Sequence, residues 1–128
     1  MKLLLDTHFV LAFMRQEFEV RYPRYYSLFS QGREDAFVSV VSLWEISIKT
    51  RLGKLEPGMP LEKIPRFLQE AKLAIVCIDI PHVITAAEPE PLTRDPFDRL
   101  LLAQCQVEGL QLVTIDRLLV DHPMAFRI

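Results

Sequence analysis

The residues of this chain best placed to do chemistry are four acids: Asp6, Glu45, Asp98 and Asp116. Asp6 ends the apolar run 3–5 and Asp116 ends the run 112–115, as expected for residues that follow buried parallel strands. Ligands of open α/β sheets bind beyond the carboxyl ends of the strands, so both acids are predicted at the same edge. Carboxylate oxygens gathered in one pocket favour a hard divalent cation.

The other two acids lie in segments with helical periodicity. At about 100° per residue, Glu45 falls on one stripe with four apolar residues: Val41, Trp44, Ile48 and Leu52. Asp98 has apolar neighbours at helical spacings as well: Leu101, Leu102 and Cys105. An ionised carboxylate on an apolar stripe costs free energy unless it is paired or binds a cation, so each acid is predicted to have a partner.

Ordinary structural roles also account for the two helical acids. The segment from Ser42 to Glu45 fits the S-x-x-E capping box, and Glu45 is one helical turn from Lys49. Asp95 is suited to be an N-cap before Pro96, which would leave Asp98 favoured by the helix dipole. We expect the capping role for Asp95 rather than a ligand role.

The two acids after the strands have alternatives of the same kind. Asp6 is suited to cap the helix that follows it, and the pair 116–117 is suited to a solvated turn. Each of these short motifs is weak alone, but the coincidence of four favours a site.

The elements that must position these acids alternate along the chain. The predicted helices are Thr7 to about Gln16, Tyr22–Gln31, the Trp44 helix ending near Gly53, Leu61–Leu73 with a start nearer Pro65, Pro81–Ala87, and Pro96–Glu108 followed by Gly109. The predicted strands are 2–5, Ala36–Val40, Ala74–Ile78, Gln111–Ile115 and a last edge strand, Ala125–Arg127. This alternation predicts an α/β fold with a mostly parallel sheet and helices on both faces.

Length and composition limit the functional classes. With 128 residues, half of them apolar, we expect residues 1–128 to form a single domain. A net charge of −2 argues against binding nucleic acid by general electrostatics alone. Cys77 and Cys105 lie in apolar segments without metal-like spacing, so we expect buried, reduced thiols. We also expect a cytoplasmic protein, because the N-terminus lacks a signal-peptide pattern and no run approaches a membrane span.

Three segments resemble the signature segments of PIN-domain proteins: 3–8, 42–49 with 51–55, and 94–101. They are most similar to the ribonuclease toxins of VapBC-type toxin–antitoxin pairs, and the likeness runs in order from residue 3 to about residue 118. It implies a PIN-like fold in which Asp6, Glu45, Asp98 and Asp116 are the catalytic and metal-binding acids. It further implies an endoribonuclease that depends on Mg²⁺ or Mn²⁺ and leaves 5′-phosphate and 3′-hydroxyl ends. The chain departs from close relatives at 92–93, where they often carry histidine, and at 118–120, where an aromatic is common.

The resemblance also implies partners: an RNA substrate, a cognate antitoxin and a second copy in a homodimer, with no membrane. The segment 9–29 carries seven aromatics: Phe9, Phe13, Phe18, Tyr22, Tyr25, Tyr26 and Phe29. We expect part of this set to form an exposed groove that suits an amphipathic helix of the antitoxin, while core packing explains the remainder.

Further residues have supporting roles in this hypothesis. Thr7 and Thr114 are predicted to support the acids, although structural roles are favoured for both. Basic residues near the acids are candidate contacts for RNA phosphates, and solvated charge explains any one of them equally well: Lys49, Arg51, Arg94, Arg99 and Arg117. We expect Trp44 in the core rather than as a base-stacking platform, and structural roles for His8, His82 and His122.

Two rival classes remain. A receiver-type signalling domain also gathers acids at strand ends, but it needs paired acids after the first strand and a lysine after the last. Neither pattern is present. The alternative function is a PIN-like metal- or RNA-binding module without catalysis, and the intact set of four acids argues against it.

Overall fold

A computed structural model describes residues 1–32 and 35–128. Its centre is a sheet of four parallel strands in the order β3-β2-β1-β4. The strands are β1 Lys2–Leu5, β2 Asp35–Ser39, β3 Ala74–Val76 and β4 Gln111–Val113. The helices are α1 Thr7–Met14, α2 Phe18–Arg21, α3 Pro23–Ser30, α4 Val40–Arg51, α5 Ile64–Glu70, α6 Ile80–Ile84 and α7 Pro96–Glu108, with a 3₁₀ turn at Leu61–Lys63.

The strand order creates a switch point between β1 and β4. The chain winds outward from β1 through β2 to β3, then crosses back to place β4 on the other side of β1. Connections therefore leave β1 and β4 in opposite directions, which opens a crevice beyond their carboxyl ends where doubly wound folds bind ligands. Asp6 and Asp116 come after these two strands.

Alternate side chains of β1 supply two separate cores. Leu3 and Leu5 pack in a cluster that includes Phe9 of α1 and Leu68 of α5. Leu4 points to the other face, where its cluster contains Leu101 of α7. Because successive residues of a strand face opposite sides, three consecutive leucines fit a strand that is covered on both faces. The predicted α/β class with a parallel sheet flanked by helices is confirmed.

Polar side chains fix where the helices that carry the acids begin. Asp6 caps α1 by accepting a hydrogen bond from the Phe9 N–H (3.1 Å). Ser39 caps α4 through the Val41 N–H (3.0 Å), and Asp95 caps α7 through the Phe97 N–H (2.8 Å). Each cap satisfies a backbone donor that has no partner within the helix, so the first turn is held in place.

Several predicted boundaries are wrong in detail. The strand Gln111–Ile115 ends at Val113, because the Thr114 hydroxyl accepts the Asp116 N–H (3.1 Å) and turns the chain. Ala125–Arg127 forms no strand and makes only an isolated bridge from Ala125 to Leu112.

The other differences are at element ends. Ala74–Ile78 ends at Val76, and Pro81–Ala87 shortens to α6. The segment Leu61–Leu73 divides into the 3₁₀ turn and α5, with Pro65 in the first turn of that helix. The short helix α2 was not predicted.

Two predictions of burial are also wrong. Cys77 is exposed, since it follows the edge strand β3, where no further strand covers it; Cys105 is buried as expected, and burial raises its pKa to about 12. Trp44 is exposed rather than in the core.

In the parts of the chain that the structure describes, no helix is long and apolar enough to cross a membrane.

Gln104 joins three elements behind the site and gives a test of the fold. Its side chain is fully buried, accepts the Ser39 hydroxyl and donates to the Cys77 carbonyl (3.4 Å). Gln104→Leu removes both bonds and leaves the buried Ser39 hydroxyl without its acceptor, so we expect a loss of about 1–3 kcal/mol in the free energy of unfolding. Urea denaturation measures it, with the exposed Gln69→Leu of α5 as the control. Equal stability of the two variants would refute the role of this bridge.

Candidate active site

The structure brings the four predicted acids to one end of the sheet. Asp6 and Asp116 follow β1 and β4, while Glu45 and Asp98 come from α4 and α7. These two helices pack on each other, and α4 also packs on α1. Asp6 and Glu45 are buried, at 2% and 5% exposed, whereas Asp98 and Asp116 are partly exposed. The acids therefore extend from a buried floor to a solvent-accessible rim.

Asp6 is the acid most embedded in backbone structure. Burial raises the pKa of its carboxyl, and the charge of Asp116 acts in the same direction. Hydrogen bonds from the Thr114 hydroxyl and the Phe9 N–H lower this pKa, as does the charge of His8, whose Nδ1 lies 4.0 Å from the carboxylate. The predicted supporting role of Thr114 is thus a direct contact with Asp6.

Both oxygens of Glu45 have partners on neighbouring side chains. Oε1 accepts the Thr7 hydroxyl (2.7 Å), and Oε2 lies 2.5 Å from the Lys49 ammonium. The hydrogen bond to Glu45 raises the pKa of Lys49, which holds the lysine in its charged form. The ion pair left open by the sequence is therefore present. The capping box is not, because Ser39 caps α4 and Ser42 lies inside the helix.

Several neighbouring acids act on the pKa of Asp98. Burial, followed by the charges of Asp95, Glu45, Asp116 and Asp6, raises its pKa to about 7. The Thr93 hydroxyl contributes one long hydrogen bond (3.4 Å). A carboxyl with a pKa near neutrality is the expected result when like charges are gathered in a partly buried site.

Asp116 lies in a turn, as the structural alternative predicted. Its Oδ1 accepts the Leu118 N–H (2.8 Å), and its own N–H bonds the Thr114 hydroxyl. Thr114 thus touches both acids of the switch point, since its hydroxyl also bonds Asp6. The turn and the site are compatible, because it leaves the Asp116 carboxylate partly exposed beside Asp6.

The donors suit Mg²⁺ or Mn²⁺ in chemical type, since all four acids offer carboxylate oxygens. Within residues 1–32 and 35–128, however, no three His, Cys, Asp or Glu side chains come close enough to form a metal-binding group. The other acids raise the pKa of Asp98, and Asp116 raises that of Asp6, although the side chains do not share a coordination sphere. Mg²⁺ keeps several waters and takes only one or two carboxylates directly, so this looser arrangement fits such an ion better than a cation that needs a full protein cage.

Four of the predicted basic contacts fall into two groups, and the fifth, Lys49, pairs with Glu45. Arg51, Arg94 and Arg117 are exposed. Arg99 is engaged locally, with its Nε donating to the Thr93 carbonyl (2.8 Å) and its guanidinium 3.3 Å from Glu90. Arg99 therefore fixes the loop that presents Asp98, and the three exposed arginines have their side chains available to a ligand.

Sequence reasoning missed two hydroxyls of the site. The Ser42 hydroxyl lies 3.1 Å from the Thr7 hydroxyl, and Thr93 links Asp98 to the loop before α7. The clue to Thr93 was its place two residues before the cap Asp95, whose N–H it accepts (3.2 Å). Ser42 carried no distinct signal, because the capping-box pattern suggested another role.

The family model of the PIN domain matches residues 3–122 of the chain. The chain belongs to the PIN domain family. PIN domains are generally nucleases, and they typically use divalent metal ions. No curated protein matches this PIN domain.

The raised pKa of Asp98 makes stability depend on pH. The folded PIN domain holds a proton that the unfolded chain releases near pH 4, so this group's stabilising effect is present below pH 4 and is lost as pH rises through about 7. Asp98→Asn cannot ionise and escapes this loss. We expect the free energy of unfolding of Asp98→Asn, compared with that of wild type, to be about 1–2 kcal/mol higher at pH 8.5 than at pH 5. The difference is modest because solvent screens the partly exposed group.

Denaturation in chelator at both pH values measures this difference. Asp79→Asn is the matched control, because Asp79 follows β3, is exposed and lies outside the cluster. A gain for Asp98→Asn that is the same at both pH values would contradict the electrostatic account.

Proposed function

We propose that this PIN domain is a Mg²⁺- or Mn²⁺-dependent endoribonuclease and the toxin of a type II toxin–antitoxin pair. The observation that supports it best is the combined action of acids from other elements on Asp98 at the switch point. Asp6, Glu45 and Asp116 all contribute to the raised pKa of Asp98. A fold accepts such repulsion where function requires negative charge, and perturbed carboxyls in a crevice are typical of catalytic sites.

In this proposal Asp6, Glu45, Asp98 and Asp116 hold the cation directly or through water. When bound, the cation would supply an activated water for in-line attack on phosphorus and neutralise charge on the leaving oxygen. The chain's own residues set the geometry around it. Thr7 and Lys49 orient Glu45, while Thr114 orients Asp6. Arg51, Arg94 and Arg117 are the exposed cations available to RNA phosphates.

One observation favours the alternative, a metal- or RNA-binding module without catalysis. Lys49 already neutralises Glu45, which reduces the negative charge left to attract a cation. In the catalytic proposal, Glu45 would share its negative charge with the bound cation, and Lys49 would then be available to a substrate phosphate. The two functions differ in whether phosphodiester bonds are broken.

The cleavage assay uses total cellular RNA and purified chain in Mn²⁺ or in chelator. We expect discrete fragments with 5′-phosphate and 3′-hydroxyl ends only with metal. Asp6→Asn should lower the rate by about 100-fold or more, because it removes a charged group at the reacting centre. Asp79→Asn should cleave like wild type, since its side chain caps α6 away from the cluster and asparagine caps equally well.

Fragments ending in 2′,3′-cyclic phosphate would show attack by the ribose hydroxyl and overturn the mechanism. Binding of RNA without cleavage in either metal would favour the module. Equal loss in Asp6→Asn and Asp79→Asn would indicate a general effect of removing an acid after a strand.

The proposed antitoxin site is a groove of about 650 Å³ at the amino ends of β2 and β3. In the predicted aromatic segment, Phe9 and Phe18 are buried and Tyr26 alone is exposed. More of these aromatic side chains therefore pack in the core than expected. Four of its rings still line the groove: Phe13, Phe18, Tyr26 and Phe29. An apolar groove with aromatic walls suits one face of an amphipathic helix.

Co-expression with the protein encoded beside this chain tests the groove. Tyr26→Glu should weaken the complex by at least about tenfold, because it puts a charge on an apolar contact surface. Val20→Glu makes a comparable change at an exposed position of α2 outside the groove and should bind normally. Equal binding of both variants would exclude the groove.

Light scattering of the free chain tests the proposed homodimer against a monomer of 14.9 kDa.

A further inference from the structure

We propose that Trp44, supported by Phe97, is a stacking platform for one unpaired base of the RNA that enters the acidic site. This inference rests on the proposed function, since it assigns the kind of RNA that the site accepts. Trp44 precedes Glu45 on α4, and Phe97 precedes Asp98 on α7. The two rings therefore meet where the two acid-bearing helices pack together.

The geometry leaves the indole both fixed and accessible. The Trp44 and Phe97 ring centroids are 5.6 Å apart at 76°, an edge-to-face contact. Trp44 is nevertheless 55% exposed, although its neighbour Glu45 is buried. An edge-to-face contact holds the indole from one side and leaves ring surface open to solvent. A base that stacks there would lose little side-chain freedom on binding.

An exposed tryptophan needs an explanation in this helix. The residues of α4 that do face the interior are Val41, Ser42, Glu45 and Ile46. Trp44 lies outside this face and leaves a large apolar surface in water, where burial against a ligand would be favourable. Trp44 adjoins Glu45 in the chain and its ring partner Phe97 adjoins Asp98, so the ligand that we assign to the indole is the molecule that occupies the acidic site.

An exposed cation on the same helix favours a nucleic acid as that ligand. Arg51 is exposed and lies two turns beyond Trp44 on the same side of α4. Seven helical residues span about 10 Å, so one strand would stack a base on Trp44 and place a nearby phosphate at Arg51. Stacking combined with cations along the backbone is the usual way to hold single strands. Duplex RNA keeps its base faces hidden, so it is a poor ligand for this platform.

Trp44 is the single tryptophan of the chain, so its fluorescence reports directly on the platform. The wild-type protein, kept in chelator to prevent cleavage, is titrated with a short oligoadenylate and with an abasic ribose-phosphate chain of the same length. We expect the oligoadenylate to quench the emission, and the abasic chain and duplex RNA to leave it unchanged. Quenching by the abasic chain to the same extent would overturn the proposal.

Substitutions provide the second measurement, with anisotropy of the labelled oligoadenylate as the readout. Trp44→Ala should bind about tenfold more weakly, while Trp44→Phe should retain most of the affinity because it keeps an aromatic face. Ile84→Ala removes a similarly exposed apolar side chain from α6 and should bind like wild type. Unchanged binding by Trp44→Ala would overturn the platform.

Two further outcomes separate this proposal from its rivals. In the cleavage assay, Trp44→Ala should raise KM and leave kcat nearly unchanged; a loss confined to kcat would overturn a stacking role. A change in Trp44 emission with protein concentration, without RNA, would show that a second copy covers the ring and would also overturn it. Base-dependent quenching without metal-dependent cleavage would support the platform while the proposed nuclease failed.

Discussion

Repulsion between carboxylates at the β1/β4 switch point is the constraint on which the site depends. The polypeptide counters it with fixed dipoles and nearby positive charge. Asp6 receives a backbone N–H at the start of α1, and Glu45 receives a hydroxyl and an ammonium. Asp98 has one long hydrogen bond, from the Thr93 hydroxyl, and burial together with the neighbouring charges raises its pKa to about 7. Burial and the partners of each acid thus act together on which group holds a proton near neutrality.

The same side chains join the candidate site to the fold. Asp6 is a cap and a site residue at once, because one oxygen accepts from α1 while the carboxylate remains within the influence of Asp116. The cap at Ser39 depends on Gln104 of α7, which ties the start of α4 to the helix that carries Asp98. Shifts of one helix are therefore resisted by the other. Such support keeps functional groups in a defined geometry.

Much of this arrangement could be predicted from local sequence. Asp6 and the Asp95-Pro96 helix start are set by short-range chemistry, and α7 has its predicted bounds, Pro96–Glu108. The alternation of apolar runs with helical segments was enough to predict a parallel sheet. The positions at which strands end were less predictable, because Thr114 turns the chain through a side-chain hydrogen bond. The predicted burial of Trp44 and Cys77 was wrong. Burial depends on which elements lie alongside a residue, and one sequence does not reveal those neighbours.

The aromatic groove and the acids lie at opposite ends of the strands. A strand rises about 3.3 Å per residue, so the four residues of β1 separate the two ends by roughly 13 Å. A helix anchored in the groove would leave the crevice open unless a further segment crossed that distance. Affinity and inhibition would then reside in separate parts of a partner and be free to change independently. A partner shortened at one end would become a tight ligand that no longer inhibits.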